Sequence, residues 1–215
     1  MKLALLAILC YAVGSINPAY ILGKIKGFDI RKSGSNNAGA SNAVITMGTK
    51  AGVFTALFDI FKAFLCYKLG SWLFPDLSFA GVLCASLCAL GHIFPFYMNF
   101  KGGKGFACIG GLILGYNYKV FLIMLAAAII LVFIINYISI ITCMTALSFP
   151  VIYLLMTKDT IGTIILCILG IVIVSRHFVN FRRIKDGTEV RFSLLYNRKK
   201  EEERLRGNKE NRNDE

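Results

Sequence analysis

The chain has 215 residues, of which 56% are apolar and 17% charged, and it carries a formal net charge of +12. That composition excludes a soluble globular domain and fits one compact bundle of helices embedded in a membrane. The surplus of cations reads as membrane topology and as attraction for anionic lipid heads and anionic substrates, so membrane lipids are the expected surroundings and no nucleic-acid partner is expected.

A helix that crosses the hydrocarbon needs about 20 apolar residues, because lipid offers no partner to a bare backbone group. Such stretches lie near residues 3–23, 51–71, 78–98, 105–118, 119–139, 140–157 and 160–177, the fourth being short enough to leave its crossing open. The predicted fold is therefore an all-α polytopic bundle of about seven transmembrane helices. Residues 1–197 form its single domain and residues 198–215 a charged tail, read as a solvated helix or disordered. Lys2 to Ser15 has the early cation and apolar core of a signal peptide, but the apolar character continues through Ile21 and Leu22, so it reads as an uncleaved first span. The seven cysteines all fall inside apolar spans, as buried thiols do, and carry no redox role.

Lysine and arginine crowd the connections on one side. Lys24, Lys26, Arg31, Lys32 and Lys50 lie in the first, Lys101 and Lys104 in the third, and 12 of the 24 basic residues follow from Arg176. The opposite connections hold little beyond Lys119 and Lys158. The positive side is cytoplasmic, which places the carboxyl end there and the amino end outside.

Three polar segments share that cytoplasmic face. The first, 29–42, follows Arg31 and Lys32 with hydroxyls, amides and glycines, including Ser35, Asn37 and Asn42. It either wraps a polar head group or forms an Asx- and Ser-rich turn capping the second span. Ser41 sits one glycine short of a nucleophile elbow and is a poor nucleophile candidate. The second segment, Lys101-Gly102-Gly103-Lys104-Gly105, has the glycines and cation of an anion cradle, or is a tight turn with two snorkelling lysines; it is not a Walker loop. In the third, 175–189, His177 and Asn180 are three apart and share a face if the helix continues, flanked by Arg176 and Arg183. Gly187 and Glu189 follow as a helix stop and a carboxylate that braces arginines. Asp59 and Lys62, at i, i+3 inside the second span, form a supporting ion pair or touch substrate directly. His92 is expected to orient the end of the third span.

With two histidines, no His-Glu-x-x-His, no Cys-x-x-Cys and no carboxylate five residues after either histidine, a metal site is not expected and the His-x4-Asp dyad of acyl-CoA-dependent acyltransferases is missing.

Gly14-Ser-Ile-x-x-Ala-Tyr, Asp29-Ile-Arg with Gly34-Ser-x-Asn-x-Gly-Ala-x-Asn42, Asp59-x-x-Lys62, Gly91-His-x-x-Pro95, Lys101-Gly-Gly-Lys-Gly105 and Arg176-His-x-x-Asn180, in this order and spacing, resemble the bacterial membrane acyl-phosphate:glycerol-3-phosphate acyltransferases, the PlsY family. The resemblance runs over residues 11–189. It implies a multi-pass enzyme of the bacterial plasma membrane that moves a fatty acyl group from acyl phosphate to the 1-hydroxyl of glycerol 3-phosphate. The products are lysophosphatidic acid and phosphate, in the first acylation of phospholipid synthesis. By matching positions, Ser35, His177 and Asn180 fall in catalytic loops, Lys101 to Gly105 in the glycerol-phosphate loop and Glu189 in a structural role. Arg31, Asn37, Asn42 and Arg183 join the substrate-binding candidates, Asp59 and Lys62 the supporting ones; no cofactor is implied, and a monomer suffices.

Two positions depart from the family pattern. Ile45 stands where the family has an arginine, so a cation is missing for which Lys50, Arg31 or Lys32 are substitutes, and Asn36 stands for a glycine, an angle that asparagine tolerates. An acyl phosphate is already activated, so its transfer needs positioning and charge stabilisation more than a metal. The proton of the acceptor hydroxyl goes either to His177 or, as the favoured route, to the donor's own phosphate. A membrane transporter or lipid-binding protein is the competing class, but transporters place polar groups at mid-bilayer between repeats, and here they gather at one interface. Acylation from acyl-CoA or acyl carrier protein is the second alternative.

Overall fold

A computed structural model describes residues 2–195, 201 and 203–205, and among them all regular structure is helical. The helices are α1 (Lys2–Ser15), α2 (Pro18–Ile25), α3 (Ala40–Met47), α4 (Thr49–Leu73), α5 (Ala80–Ile93), α6 (Phe106–Tyr116), α7 (Tyr118–Ile135), α8 (Ile138–Thr157), α9 (Thr160–Ser175) and α10 (Phe178–Lys185). Three segments are long and apolar enough to cross a membrane, Ala80–Met98, α7 and α8, and the bent pairs α1–α2 and α9–α10 bring the number to five. Helix α4 has the length, 25 residues, but carries Asp59, Lys62 and Lys68. Helix α6, with 11 residues, extends only about 16 Å, half the hydrocarbon thickness of about 30 Å.

The first expected span is broken, and the last, expected over residues 160–177, ends at Ser175 before the chain bends into α10. The first bends by 42° between α1 and α2, and the last by 41° between α9 and α10. The first break has a local cause: Pro18 lacks an N–H, and Asn17 ahead of it is extended and accepts from the Tyr20 amide through Oδ1 at 2.9 Å, restarting the helix as its cap. At the second break Arg176 and His177 separate the helices, so His177 precedes the helix that carries Asn180 rather than sharing a continuous one with it.

The core is organised around α5, which is buried along most of its length and packs against α1, α4, α6 and α9. Without a hydrophobic force between helices in lipid, close packing of small residues holds them together. The α1–α5 contact is reciprocal: a Cβ on Gly14 would strike the Cys88 carbonyl and one on Gly91 the Tyr11 carbonyl. Helix α7 is the opposite case, almost unburied and showing Ile123, Ile130 and Ile134 outward, as a lipid-facing helix does. The seven cysteines are free thiols, six buried and Cys167 exposed.

The ionic centre of α4 is explained by the first break. Lys62 Nζ lies 2.7 Å from Asp59 Oδ1 and donates to the Gly14 and Ile16 carbonyls at 2.9 and 2.8 Å, satisfying the end of α1 where no further turn exists. His92 Nδ1 completes the group, 3.2 Å from Asp59 and 3.3 Å from Lys62. His92 thus does more than end α5; it joins α5 to the α4 ion pair. Asp59, His92 and Cys108 have a metal-like spacing, but the Lys62 ammonium already supplies the positive charge there.

Candidate active site

The first polar segment is wound around Asn42, which is fully buried at the start of α3. Its Nδ2 donates to the carbonyls of Ile30, Ser33 and Asn37 at 2.8–2.9 Å, and its Oδ1 accepts from the Ser35 amide at 2.8 Å. Gly34 and Asn36 both take left-handed angles, each with φ of 59°, so the asparagine at 36 holds the turn. Asn17 ties the segment to the first helix break by donating to the Ala38 carbonyl at 2.9 Å. Arg31 pairs with Asp29 at 2.8 Å, donates to the Met98 carbonyl at 2.6 Å and stacks on Tyr20, joining the first segment to the approach of the second. That guanidinium holds the Asp29 carboxyl down to about 2.

The second segment departs from the anion cradle in one respect. The amides of Gly102 and Gly103 donate to the Ile93 and His92 carbonyls at 3.0 and 3.1 Å, so they finish α5 and are not open to an anion. These glycines are required for close approach: a Cβ on Gly102 would strike the His92 carbonyl, and one on Gly103 the His92 ring. Lys101 is exposed and lies off the cavity wall. Lys104 and Gly105 do face the cavity, and Gly105, at φ of 88°, opens α6 with no side-chain cap.

The third segment meets the second through a chain of short hydrogen bonds. Lys104 Nζ donates to Asn180 Oδ1 at 2.5 Å, and Asn180 Nδ2 donates to Glu189 Oε1 at 2.5 Å. Burial pushes Lys104 down to about 8 even though Glu189 pulls it up; Arg183 and Arg176 push the same way as burial. His177 Nδ1 lies 2.8 Å from the Ile173 carbonyl, which requires the proton on Nδ1 and leaves Nε2 as an acceptor. Burial first, then Lys104 and Arg176, push this imidazole down to about 4 against the pull of that hydrogen bond. Arg183 Nη1 donates to the Ser35 carbonyl at 3.2 Å, closing the third segment onto the first.

These contacts surround a cavity of about 430 Å³. Its polar end is lined by Ser35, Asn37, Lys104, Gly105, His177, Asn180 and Glu189, with Asp59 and His92 behind; its body is lined by apolar side chains of α4, α6 and α7 and by Ile45. Asn42, Arg31, Arg183, Gly102, Gly103 and Lys62 stand behind the wall as braces, and the proposed cation substitutes Lys32 and Lys50 are exposed and off it.

A fourth element joins the site that the polar segments did not announce. The α7–α8 junction turns at Asn136, with φ of 63°, and receives the chain after Glu189: the Phe192 amide donates to the Asn136 carbonyl and the Ser193 amide to Asn136 Oδ1, both at 2.8 Å. This brings Ser139, Thr142 and Arg191 into the cavity wall. Ser139 and Thr142, three apart at the start of a span just after an asparagine, were the signal available in the sequence. The tail is also not wholly solvated: Glu201 is buried and accepts from the Arg191 amide at 2.9 Å, and Arg204 donates to the Glu189 carbonyl at 2.7 Å. Residues 196–200, 202 and 206–215 lie outside the described residues.

Residues 4–187 match the family described as Glycerol-3-phosphate acyltransferase. The chain is 38% identical over 196 residues to the glycerol-3-phosphate acyltransferase of Bacillus subtilis (strain 168), covering 91% of this chain and 100% of that one. It is 38% identical over 193 residues to that of Macrococcus caseolyticus (strain JCSC5402), covering 88% and 96%. Among solved structures it is similar to PlsY (YgiH), an integral membrane glycerol 3-phosphate acyltransferase. The glycerol 3-phosphate form matches with a TM-score of 0.84 at 28% identity, covering 91% of this chain and 98% of that one. The lysophosphatidic acid form matches with a TM-score of 0.79 at 27% identity, covering 91% and 97%. Sequence and fold thus agree over the same nine-tenths of the chain that carries the three polar segments, and the chain belongs to the glycerol-3-phosphate acyltransferase family.

Proposed function

We propose that this protein transfers a fatty acyl group from acyl phosphate to the 1-hydroxyl of glycerol 3-phosphate, giving lysophosphatidic acid and phosphate. The observation that carries the reading is the Lys104–Asn180–Glu189 chain on the wall of a cavity whose lining is mostly apolar. An acyl phosphate has the same two-part character, a dianionic head on a long apolar chain, and the acceptor needs only a polar seat beside it.

In this reading Lys104 and the uncapped amides opening α6 hold one phosphate. Ser35 and Asn180 orient the reacting groups, Asn37 and Gly105 line the seat, and Asn42, Arg31 and Arg183 hold the first segment in shape, with Gly102 and Gly103 fixing the loop beneath Lys104. The acceptor oxygen attacks the acyl carbon, the bond from that carbon to the phosphate oxygen breaks, and the acceptor's proton passes to the departing phosphate. His177, neutral and weakly basic, accepts a hydrogen bond through Nε2 and positions the acceptor hydroxyl. Asp59, Lys62 and Glu189 keep the frame rigid. The acyl chain occupies the apolar body between α4, α6 and α7.

The membrane arrangement belongs to the same proposal: seven embedded segments, α1–α2, α4, α5, α6, α7, α8 and α9, with the amino end outside and the site and charged tail on the cytoplasmic side of the bacterial plasma membrane. It is supported by the meeting of all four polar connections at one cavity and by their lysines and arginines. Helix α6 then serves as a shielded half-length segment. The chain works as a monomer, since the cavity is built within one copy.

The deciding experiment measures lysophosphatidic acid and phosphate formed by the purified protein from palmitoyl phosphate and glycerol 3-phosphate, beside palmitoyl-CoA and palmitoyl carrier protein. Product from acyl phosphate alone is expected. Product only from a thioester would overturn the donor.

A further inference from the structure

The reaction proposed above brings two phosphate groups into one cavity, and Lys104 is a single cation. Helix α8 begins at the same cavity. Its cap residue, Tyr137, makes no side-chain hydrogen bond to the first turn, so the amides of Ile138 and Ser139 are open at the positive end of a helix of 20 residues. A helix end alone would mean little, but Ser139 adds an independent feature. It lines the cavity, is only 6% exposed, and its Oγ has no hydrogen-bond partner among the described residues. A buried hydroxyl left without a partner is destabilising, and a bound ligand would satisfy it.

The charge comes from Arg191. Its Nε donates to the Tyr137 hydroxyl at 3.2 Å and its guanidinium lies 5.8 Å from that ring, so Tyr137 holds it beside the start of α8. Its terminal amino groups have no hydrogen-bond partner among the described residues, although its charge acts on the nearby Glu201 carboxylate, and it is the arginine that lines the cavity. The other arginines near the site do not line the cavity: Arg31 is held by Asp29 and Met98, Arg183 by the Ser35 carbonyl, and Arg176, whose Nε has no hydrogen-bond partner among the described residues, lies over the Phe94 ring. Thr142, one turn along α8, also faces the cavity while donating to the Ile138 carbonyl at 2.9 Å.

We infer that the N-terminus of α8, with Ser139 and Arg191, is a second oxyanion seat that takes a phosphate dianion, either glycerol 3-phosphate or the head of the acyl phosphate. This rests on the acyltransferase reading. The guanidinium meets two oxygens, and the Ser139 hydroxyl and open amides meet the third, a donor set suited to a tetrahedral anion. Lys104 with the start of α6 then serves the other phosphate.

The test uses the full chain in lipid nanodiscs, as wild type, Ser139→Ala, Ser139→Thr, Arg191→Gln and Arg191→Lys. Each substrate's KM is measured with the other held saturating, and inorganic phosphate and glycerol 3-phosphate are titrated in the absence of donor. Arg191→Gln is expected to raise one KM by about 10- to 100-fold and Ser139→Ala by about tenfold. Arg191→Lys and Ser139→Thr should recover part of the loss. The substrate whose KM rises identifies the occupant, and weaker binding of inorganic phosphate in the same variants supports the seat independently of turnover. Unchanged values of both KM and of phosphate affinity in Ser139→Ala and Arg191→Gln, with thermal unfolding as in wild type, would overturn the inference. If Arg191→Gln unfolds, Ser139→Ala against Ser139→Thr decides. A wild-type protein that forms no product from any donor fails the acyltransferase reading instead, and phosphate titration still decides the seat.

Discussion

If Lys104 is the cation that receives glycerol 3-phosphate, leaving the donor's head to the start of α8, its charge sets an alkaline limit on acceptor binding. Burial lowers this lysine from 10.5 to about 8, which corresponds to about 3 kcal/mol against the buried ammonium. The sign follows directly: with its pKa lowered, the free enzyme holds the cation below about pH 8 and loses it as pH rises through that value, where an ordinary lysine stays charged. Glycerol 3-phosphate, with a second ionisation near 6, is already a dianion across this range and contributes no limb of its own. If only the charged lysine receives that dianion, kcat/KM for glycerol 3-phosphate is level up to about pH 7.5. It then falls about tenfold per unit above 8, reaching about one hundredth at pH 10. The assay is the initial rate of lysophosphatidic acid formation at saturating palmitoyl phosphate, corrected for donor hydrolysis. Lys104→Arg keeps its charge throughout and should abolish the limb. A wild-type profile that stays flat to pH 10, or the same limb in Lys104→Arg, would refute the assignment.

Other consequences are equally measurable. Lys62→Met strands Asp59, which is 1% exposed, and frees the Gly14 and Ile16 carbonyls, so it should cost about 3–5 kcal/mol in unfolding and be partly rescued by Asp59→Asn; a loss below about 1 kcal/mol would contradict the ion pair's bracing role. Gly103→Ala drives a methyl into a His92 ring that Asp59 and Lys62 hold in place, so thermal unfolding should show a loss of about 2 kcal/mol or more, with a raised KM for the acceptor. With its imidazole pushed down to about 4, His177 is neutral at every ordinary assay pH, so kcat should show no limb between about 5 and 7, and His177→Gln should keep most of kcat. A kcat limb near 6.5 that His177→Gln removes would make His177 the base.

The membrane bundle and the three polar segments were legible because lipid imposes long apolar runs and confines polar residues to their ends. The order of motifs likewise placed Lys104, His177, Asn180 and Glu189 in one neighbourhood. What the sequence hid was which groups are already satisfied. Gly102 and Gly103 look like anion-binding amides until the carbonyls of His92 and Ile93 are seen to take them. Asn42 looks like a ligand until three carbonyls and the Ser35 amide exhaust it. The two helix breaks were hidden for a different reason: hydropathy is blind to direction, and an apolar run reads alike whether straight or bent by about 40°. Ser139 and Arg191 escaped notice because one sits in an apolar span and the other among the many cations after Arg176, and only the docking of Phe192 and Ser193 on Asn136 brings them together.

Helix ends in a membrane are liabilities, because the last carbonyls and first amides have no water to turn to. This fold answers several of them from within: Lys62 meets the end of α1, Gly102 and Gly103 meet the end of α5, and Asn17 caps the start of α2. The starts of α3, α4, α5, α6, α8 and α10 have no side-chain cap. Those of α6 and α8 are each accompanied by a cation on the cavity wall, Lys104 for one and Arg191 for the other. Two uncapped, cation-flanked amide ends suit the proposed reaction, which has one phosphate on each substrate, and they are in place before either substrate arrives. Donors fixed in this way need no reorganisation as charge moves onto the departing phosphate, which is how a site without a His-x4-Asp dyad can still lower the barrier.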